Sequence, residues 1–559
     1  MNKRRQQWLL RFIAVAVAAV TVAACSSSSG GSGTTSSQGS NVVLNVGGEA
    51  VGMTRVFNPY LETNAWALAG NDVLNGDASG FIYEPLVQVD YVRSDHVIPW
   101  LAKSWTWSDG NKRLTWHLHQ GVKWSDGQPF SSADVVFSYE LMKKDPALNL
   151  AGIQFQTVSA PNSSTVVMTF ASAQEQNFDE LGSLVIVPEH IWSKVKNPVT
   201  YSDPDPVGTG PFLLSSFSPQ GYLLTKNQHY WQKGKPDIGG LRFVAYSDNE
   251  TQANAISEGQ IDWAADYLPN AQTTYVDRSK NNHYWVPEAG SDGLIPNLDT
   301  FPLSDLQVRR AINVGINRQE IAAARNSSAA TNVTGLPVPS FSSIVVPQYR
   351  NDNFKQNVAE AKSILTADGW KMGSGGYYQK NGRQLSFSMS FPAAFTDIAS
   401  AASVLVQELK KIGIEMTIDT VPTNEINTLT GLGRFQSTMG YPVGYVPTAW
   451  SFYSEQMDPQ FYQPVGKNIP TYEDIERFND PTAKKLFEEY PSASPAEQAK
   501  IVGQWEQIWA TDLPVITMIY WGDYAEWNSA KVTGWASSSD PYFMPSPNEV
   551  VALRLKPVS

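Results

Sequence analysis

The 559-residue chain has a single cysteine, Cys25, and only six histidines. One cysteine excludes an intramolecular disulfide, so packing alone must hold the fold together. Charged residues make up only 17% of the chain, and a formal net charge of −12 disfavours nucleic acid as a partner. Beyond the N-terminal segment, no apolar run reaches the roughly 18 residues that a membrane-spanning helix needs.

Sequence motifs that carry enzymatic chemistry are also missing. The chain has no Gly-x-Ser-x-Gly elbow, no Gly-rich phosphate loop and no His-Glu-x-x-His pair. His117 and His119 share one face of a predicted strand, but no third ligand follows at a spacing typical of zinc sites. The sequence therefore predicts a protein that is not an enzyme, with no metal site and no cofactor.

The N-terminal 24 residues have the pattern of an export signal. A basic stretch precedes an apolar run from Trp8 to Val20, and three small residues stand directly before Cys25. This pattern is typical of a lipoprotein signal peptide over residues 1–24, whose cleavage would leave Cys25 as a lipid-bearing N-terminus. Residues 25–40, nearly all Ser, Gly and Thr, predict a flexible linker to the folded part. We therefore expect an extracytoplasmic protein anchored to the outer face of the cell membrane.

The first part of the remaining sequence is rich in hairpin signals. Trp105 to Ser108 and Arg113 to His119 flank an Asp-Gly turn and alternate in polarity, which is typical of a β-hairpin. Another strand is expected from Phe81 to Asp90. Ser131 and Ser494 each stand three residues before an acid, a capping-box spacing that predicts a helix start.

Later segments alternate between helix and strand patterns. One long helix is expected from Ser304 to Ala324. Another is expected from Thr396 to Ile412, ended by Gly413 and followed by a strand from Ile414 to Asp419. Repeated helix–Gly–strand units of this kind predict an α/β fold.

Several segments together resemble a known family. They are, in chain order, EPLVQVD, LAKSWTWSDGNKRLTWHLHQGVKWSDGQPFSSADVVFSYE, VGTGPFLLSSFSPQGYLLTKNQHYW, AISEGQIDWA, LSDLQVRRAINVGINRQEIA and VLVQELKKIGIEMTIDTV. Each resembles a block of the extracellular solute-binding protein family 5, the oligopeptide and dipeptide receptors of ABC importers. The resemblance covers nearly all of Val42 to Pro557, and the order of the blocks makes it specific.

The resemblance implies a two-lobed periplasmic-binding-protein fold, type II-like, with an extra hairpin-rich subdomain inserted near the N-terminus. Hinge closure would enclose a ligand between the lobes. The expected boundaries are lobe I at 41–70, 205–296 and 514–559, the inserted subdomain at 71–204, and lobe II at 297–513.

The chain departs from the family in one segment that would bind ligand. In oligopeptide-binding members, an aspartate of a Trp-x-x-Asp-Tyr stretch pairs with the α-ammonium group of the peptide. The matching stretch here places Gly444 or Val443 at that position, and neither is acidic. Because a buried ammonium group without a counter-charge is costly, recognition of a free peptide N-terminus is open to doubt. Aromatic residues crowd the segment instead, so stacking on a sugar competes with peptide binding.

We expect a receptor for oligopeptides, with an oligosaccharide or other neutral solute as the alternative. A second alternative is an interaction lipoprotein without a transport role on the same fold. The expected partners are the ligand, the permease subunits of an ABC importer and the membrane, with no nucleic acid and a monomeric state. The candidate ligand-binding residues are Glu49, Asn297, Tyr441, Gly444, Tyr445, Trp450, Tyr453 and Trp521.

Overall fold

The computed structural model describes residues 41–49, 53–61, 80–93, 96–149, 153–246, 249–338, 340–440, 448–469 and 473–558. The predicted signal peptide and linker, with Cys25, lie outside these ranges. So do three candidate ligand residues, Tyr441, Gly444 and Tyr445. The side chain of Glu49 is not described either, although its backbone is.

A seven-stranded sheet forms the first lobe. Val43–Glu49 lies inside it, parallel to Gly240–Tyr246 on one side and to Trp263–Ala264 on the other. Antiparallel strands complete both flanks. The order of the strands is Asn282–Trp285, Ala525–Asn528, Trp263–Ala264, Val43–Glu49, Gly240–Tyr246, Gly221–Lys226, Phe212–Ser218.

The predicted hairpin is confirmed and lies in a separate four-stranded sheet. Its strands, in sheet order, are Ala102–Ser108, Arg113–Leu118, Thr165–Thr169 and Thr157–Asn162. Leu114, Trp116 and Leu118 share the buried face, as their alternation predicts. These side chains join one apolar core with residues of the seven-stranded sheet such as Trp263, so the inserted subdomain is packed onto the first lobe.

A six-stranded sheet forms the second lobe. Ser386–Pro392 is parallel to Glu415–Val421 and to Ser437–Thr438. Gly290–Pro296 is antiparallel both to Ser437–Thr438 and to Ile516–Trp521. The strand order is Ser328–Ala329, Ile516–Trp521, Gly290–Pro296, Ser437–Thr438, Ser386–Pro392, Glu415–Val421.

The chain passes between the two large sheets twice, at 286–289 and at 522–524. These crossings run side by side: a Cβ atom on Gly522 would lie 2.1 Å from the carbonyl oxygen of Pro287. The sequence predicted lobe boundaries at 296/297 and 513/514, which would leave Gly290–Pro296 and Ile516–Trp521 in the first lobe. Because both strands pair within the six-stranded sheet, we propose that the boundaries lie at the two crossings.

Smaller strand pairs and the helices cover these sheets. The smaller strands are Val87–Asp90 with His96–Pro99, Val532–Thr533 with Lys556–Pro557, and Lys371–Met372, Tyr378–Lys380 and Arg383–Gln384. The helices are Ser132–Lys144, Phe178–Ser183, Glu189–Trp192, Asn249–Ser257, Ala271–Thr274, Leu306–Gly315, Arg318–Ala324, Val358–Ala367, Thr396–Lys411, Thr423–Gly431, Ala449–Met457, Pro481–Glu489, Pro495–Asp512 and Glu549–Arg554.

Both predicted capping boxes are present, at Ser131 and at Ser494. The long helix predicted from Ser304 to Ala324 is instead two helices. The first begins after the cap Asp305 and ends at Gly315, and the side chain of Asn317 caps the second by accepting from two backbone N–H groups. The strand predicted from Phe81 to Asp90 is shorter, because only its last four residues pair as a ladder.

Candidate functional site

The carboxyl ends of the second-lobe strands meet at one edge of the six-stranded sheet. Ile516–Trp521, Ser437–Thr438, Ser386–Pro392 and Glu415–Val421 all run in the same direction, because Gly290–Pro296 is antiparallel to the first two and the others are parallel to each other. In open α/β sheets, ligands bind in the crevice outside the carboxyl ends of the strands. A ligand-binding site is therefore expected at this edge of the sheet.

A buried ion cluster lies at this edge. Arg325 follows the helix Arg318–Ala324, and its Nη1 atom donates to Asp292 while its Nε atom donates to Asp397 Oδ2 at 2.9 Å. The Arg325 side chain is only 2% exposed. Asp397 lies in the first turn of Thr396–Lys411, where the helix dipole favours a negative charge.

The charge balance of this cluster is negative. Burial by itself would lower the pKa of Arg325, but the charges of Asp397 and Asp292 raise this pKa well above its ordinary value. The guanidinium therefore stays charged, and two carboxylates share one cation. Loss of any member would leave a buried charge unpaired, so the network favours a single arrangement of these three residues.

Residues of the first lobe and of one crossing form hydrogen bonds next to this cluster. The Tyr524 hydroxyl donates to the Arg325 carbonyl oxygen at 3.2 Å, and the Tyr267 hydroxyl donates to the Ala324 carbonyl oxygen at 2.8 Å. Asn326 Nδ2 donates to the Leu268 carbonyl oxygen at 2.5 Å. The cluster therefore lies where the two lobes touch.

The predicted ligand residue Trp521 belongs to this place. The guanidinium carbon of Arg325 is 5.5 Å from the centre of the Trp521 ring, within the range of a cation–π contact. Trp521 is the last residue of its strand, and it packs against the apolar cores of both lobes. The position of Trp521 beside this cluster is compatible with a ligand contact, which stays a prediction.

The predicted ligand segment begins at the same cluster. The Gly440 N–H donates to Asp292 Oδ1 at 3.4 Å. Gly440 has a φ of 94°, and a Cβ atom there would lie 2.1 Å from Ile398 Cδ1, so only glycine fits. Tyr441, Gly444 and Tyr445 follow directly, beyond the described residues.

Glu49 ends its strand at the carboxyl edge of the first-lobe sheet, opposite Tyr246 in the register. Its backbone therefore lies at the corresponding edge of the other lobe. Asn297, by contrast, is fully buried, and its side chain bonds to the protein itself: Nδ2 donates to the carbonyl oxygens of Gly433 and Phe435 at 2.9 and 3.0 Å. These bonds hold the loop that contains Gly433 and Phe435. A ligand role for Glu49 or for Asn297 stays a prediction.

Trp450 and Tyr453 lie on the helix Ala449–Met457 inside an apolar core of the second lobe. The Trp450 ring stacks on Tyr490 with centroids 5.1 Å apart and meets Trp505 edge-on at 5.8 Å. Tyr453 is fully buried, and its hydroxyl donates to the Thr334 carbonyl oxygen at 3.0 Å. These contacts are those of packing residues, and nothing in them supports the predicted ligand role.

The sequence reasoning missed Arg325, Asp292 and Asp397. An acid in the first turn of a predicted helix was a usable signal for Asp397. No local pattern marks Arg325 or Asp292, because their partners lie 72 and 33 residues away in the chain.

Comparison with known proteins identifies the family. The model for bacterial extracellular solute-binding proteins, family 5 Middle, matches residues 96–489. The chain belongs to this family. The predicted family and the predicted two-lobed α/β fold are thereby confirmed, and the family places the protein among extracytoplasmic solute-binding receptors.

Relatives of this family 5 protein have different ligands. The nickel-binding periplasmic protein of Escherichia coli is 26% identical over 434 residues, which cover 72% of this chain and 80% of that protein. The periplasmic oligopeptide-binding protein of an oligopeptide ABC transporter from Thermotoga maritima superposes with a TM-score of 0.82 at 22% identity, covering 93% of this chain and 99% of that one.

Two further solved structures contain bound ligands. A mannohexaose-bound form of the Thermotoga maritima protein superposes with a TM-score of 0.78 at 22% identity, covering 92% of this chain and 99% of that one. The oligopeptide-binding protein AppA from Bacillus subtilis, in complex with a nonapeptide, superposes with a TM-score of 0.69 at 19% identity, covering 93% of this chain and 99% of that one. At these sequence identities, the structural similarity shows only that the fold is shared.

In the part of the chain that the structure describes, no helix is long and apolar enough to cross a membrane. Within the same residues, no three His, Cys, Asp or Glu side chains are grouped so that they could hold a metal ion.

Proposed function

We propose that this protein is the substrate-binding lipoprotein of an ABC importer. It captures oligopeptides in the cleft between its two lobes and delivers them to permease subunits in the membrane. Lipid on Cys25 holds it at the outer face of the cell membrane, and the Ser/Gly-rich residues 25–40 let the folded part reach the permease.

The observation that carries this proposal is the ion cluster at the carboxyl edge of the second-lobe sheet. Arg325 bonds to Asp292 and Asp397 next to Gly440, and the hydroxyls of Tyr267 and Tyr524 donate to the backbone of Ala324 and Arg325. Side chains held rigidly in this way can position neighbouring residues that contact a ligand. Membership of family 5 and the fold shared with oligopeptide-binding proteins support peptides as the ligand class.

An oligosaccharide is the second candidate. The Thermotoga maritima neighbour has mannohexaose in its solved complex, and Tyr441 and Tyr445 could supply stacking rings. The aspartate that pairs with a peptide α-ammonium group in oligopeptide-binding members is absent from this segment, which favours the same alternative. Backbone hydrogen bonds to an extended peptide would not need that aspartate.

Mass spectrometry of the protein purified under native conditions tests the two candidates directly. We expect a set of co-purifying peptides. Added peptide should also raise the melting temperature, since a ligand at a hundredfold excess over its dissociation constant stabilises the folded state by about 2.7 kcal/mol. Co-purified glycans, with no thermal shift from any peptide pool, would favour the oligosaccharide. No shift from either pool would contradict a receptor role.

A further inference from the structure

A cavity of about 460 Å³ opens beside Asn282–Trp285, the outermost strand on one side of the seven-stranded sheet. Its lining comes mainly from this strand, from the neighbouring strand Ala525–Asn528 and from the segment 533–539. The lining residues belong to the first lobe, and none of them is a member of the buried ion cluster. Pockets that hold small ligands have volumes of about 300–1,000 Å³, so this cavity is large enough for a ligand of its own.

Aromatic rings form part of the cavity wall. His283 and Trp527 are paired across neighbouring strands, and their rings stack with centroids 5.3 Å apart and planes at 17°. The Trp535 ring stacks on Trp527 in turn, at 6.1 Å and 29°. Trp285 points to the same face as His283, because side chains two residues apart in a strand share a face. Both of these residues line the cavity and are half-buried, so aromatic surface is accessible there.

Small side chains with hydroxyl groups form another part of the wall. They are those of Ser529, Thr533, Ser537, Ser538 and Ser539. Because these side chains are short, the space beside the rings stays unfilled. No Asp, Glu, Lys or Arg is among the described residues that line the cavity. Hydroxyl groups both donate and accept hydrogen bonds, so the wall offers polar contacts without charge.

His283 adds a hydrogen-bond acceptor to this lining. Partial burial lowers the pKa of His283, which favours the neutral imidazole at pH 7. Its Nε2 atom lies 3.0 Å from Ser529 Oγ, and the Ser529 hydroxyl donates to the Asn281 carbonyl oxygen at 3.3 Å. Since that hydroxyl has one hydrogen, Nε2 is the donor to Oγ, and Nδ1 is left as an acceptor. A hydroxyl group of a ligand can donate to Nδ1.

We propose that this cavity is a second binding site, for a short neutral glycan. A sugar ring has C–H faces that pack on aromatic rings, and hydroxyl groups at its rim that exchange hydrogen bonds with Ser, Thr and imidazole groups. A charged ligand would meet no counter-charge in the lining, and a purely apolar ligand would offer no partner to the hydroxyl groups. The site goes beyond the proposed capture of oligopeptides between the lobes. Because its lining lies in one lobe, it needs no hinge closure.

Calorimetric titration with three neutral trisaccharides tests the site: maltotriose, cellotriose and N-acetylchitotriose. We expect at least one of them to bind. The anionic trigalacturonic acid should bind at least about tenfold more weakly than that trisaccharide, since no cation lines the cavity to offset the desolvation of its carboxylates. Equal affinity for the neutral and the anionic sugar would contradict a neutral ligand class.

Two variants remove contacts inside the cavity. His283→Phe keeps a ring on Trp527 but removes the acceptor nitrogen, and it should weaken binding of the neutral trisaccharide by about three- to tenfold, the loss expected for one hydrogen bond. Trp285→Ala removes an aromatic ring and should weaken binding by about tenfold. His119→Phe is the matched control, because His119 is also half-buried and its ring lies 5.0 Å from that of Trp231, away from the cavity lining. The melting temperature of each variant shows whether it is folded, and His283→Phe decides the test if Trp285→Ala is not.

Trp521→Phe, at the contact between the lobes, separates this site from the cleft. Weaker sugar binding in His283→Phe, with wild-type affinity in His119→Phe and Trp521→Phe, would support the proposed site. A loss in Trp521→Phe alone would overturn it and favour an oligosaccharide in the cleft between the lobes. If none of the three trisaccharides binds, the second site is wrong, and peptide capture, measured with peptides, still stands.

Discussion

At the scale of single residues, Glu84 is the clearest case of a buried acid held by specific donors. Its carboxylate accepts from Trp100 Nε1 at 2.8 Å, from the Tyr230 hydroxyl at 2.7 Å and from Trp231 Nε1 at 2.9 Å. Burial nevertheless dominates and raises the pKa of Glu84 to about 7. The hydrogen bonds offset only part of the cost of desolvating the charge.

This raised pKa predicts a pH-dependent stability. An acid whose pKa is higher in the folded state contributes stability below its unfolded pKa and loses that contribution as the pH rises through its folded pKa. For Glu84 this loss extends from about pH 4.5 to about pH 7. Glu84→Gln resembles the protonated acid. It should match the wild type in urea unfolding at pH 4.5 and exceed it at pH 8 by up to about 3 kcal/mol. A difference that does not change between these pH values would contradict the prediction.

Removing the charge of Arg325 should lower stability, whereas removing the charge of Glu84 should raise it. Arg325→Met leaves Asp292 and Asp397 buried without their cation, which should cost about 3–5 kcal/mol of unfolding free energy. The control is Arg113→Met: its ion pair with Asp109 is 44% and 63% exposed, and such surface pairs contribute at most about 1 kcal/mol. Similar losses in the two variants, measured by urea unfolding, would show that the buried cluster does not carry the stability assigned to it.

At the scale of elements, we propose that the two crossings between the lobes are the hinge on which closure would depend. Ala289 N donates to the Trp521 carbonyl oxygen at 3.1 Å, so the crossings are joined by a hydrogen bond where they leave the second-lobe sheet. Hinges are a few residues at the ends of elements that absorb the change in backbone angles. Residues 286–289 and 522–524 fit that description.

Gly522→Ala should damage this hinge. The added Cβ atom would lie 2.1 Å from the Pro287 carbonyl oxygen, and this backbone atom cannot move aside without shifting the crossing segment that contains it. We expect a loss of about 1–3 kcal/mol, measured by urea unfolding, and a slower ligand-induced change in Trp fluorescence. Gly375→Ala is the control, because nothing lies within 4 Å of a Cβ atom there. A similarly small loss in both variants would argue against close packing of the crossings.

At the scale of the whole molecule, the proposed tether joins a two-lobed receptor to the membrane through one residue. The lipid-bearing cysteine would be the sole covalent anchor after cleavage of residues 1–24. Residues 25–40 would then act as a flexible coil between the lipid and the receptor. Anchoring and ligand capture are separate properties in this arrangement.

Cys25→Ala tests that separation. Without the cysteine, lipid attachment should stop, and the protein should move from the detergent phase to the aqueous phase in a phase-partition assay. Ligand binding by the purified variant should equal that of the wild type, because Cys25 is not among the residues proposed to contact ligand. Membrane retention of the variant would disprove the lipid anchor.

The local patterns of the sequence were enough for many elements and for the family. The hairpin around Trp116 was predicted because side chains of a strand point to alternate faces with a period of two residues. The capping boxes at Ser131 and Ser494 were predicted because the capping side chain and its acidic partner lie only three residues apart. The single helix predicted from Ser304 to Ala324 was wrong. Its apolar spacing continues past Gly315, but a local cap at Asn317 restarts the helix.

The elements with strong local patterns, the order of the family's blocks and the α/β class were therefore predictable from the sequence, since each depends on residues close together in the chain. The tertiary structure alone decided which strands share a sheet, where the lobes are joined and how Arg325 is neutralised. Those features need partners such as Asp397, 72 residues from Arg325. No local pattern specifies a partner at that distance, because burial and strand pairing across the whole fold bring such residues together.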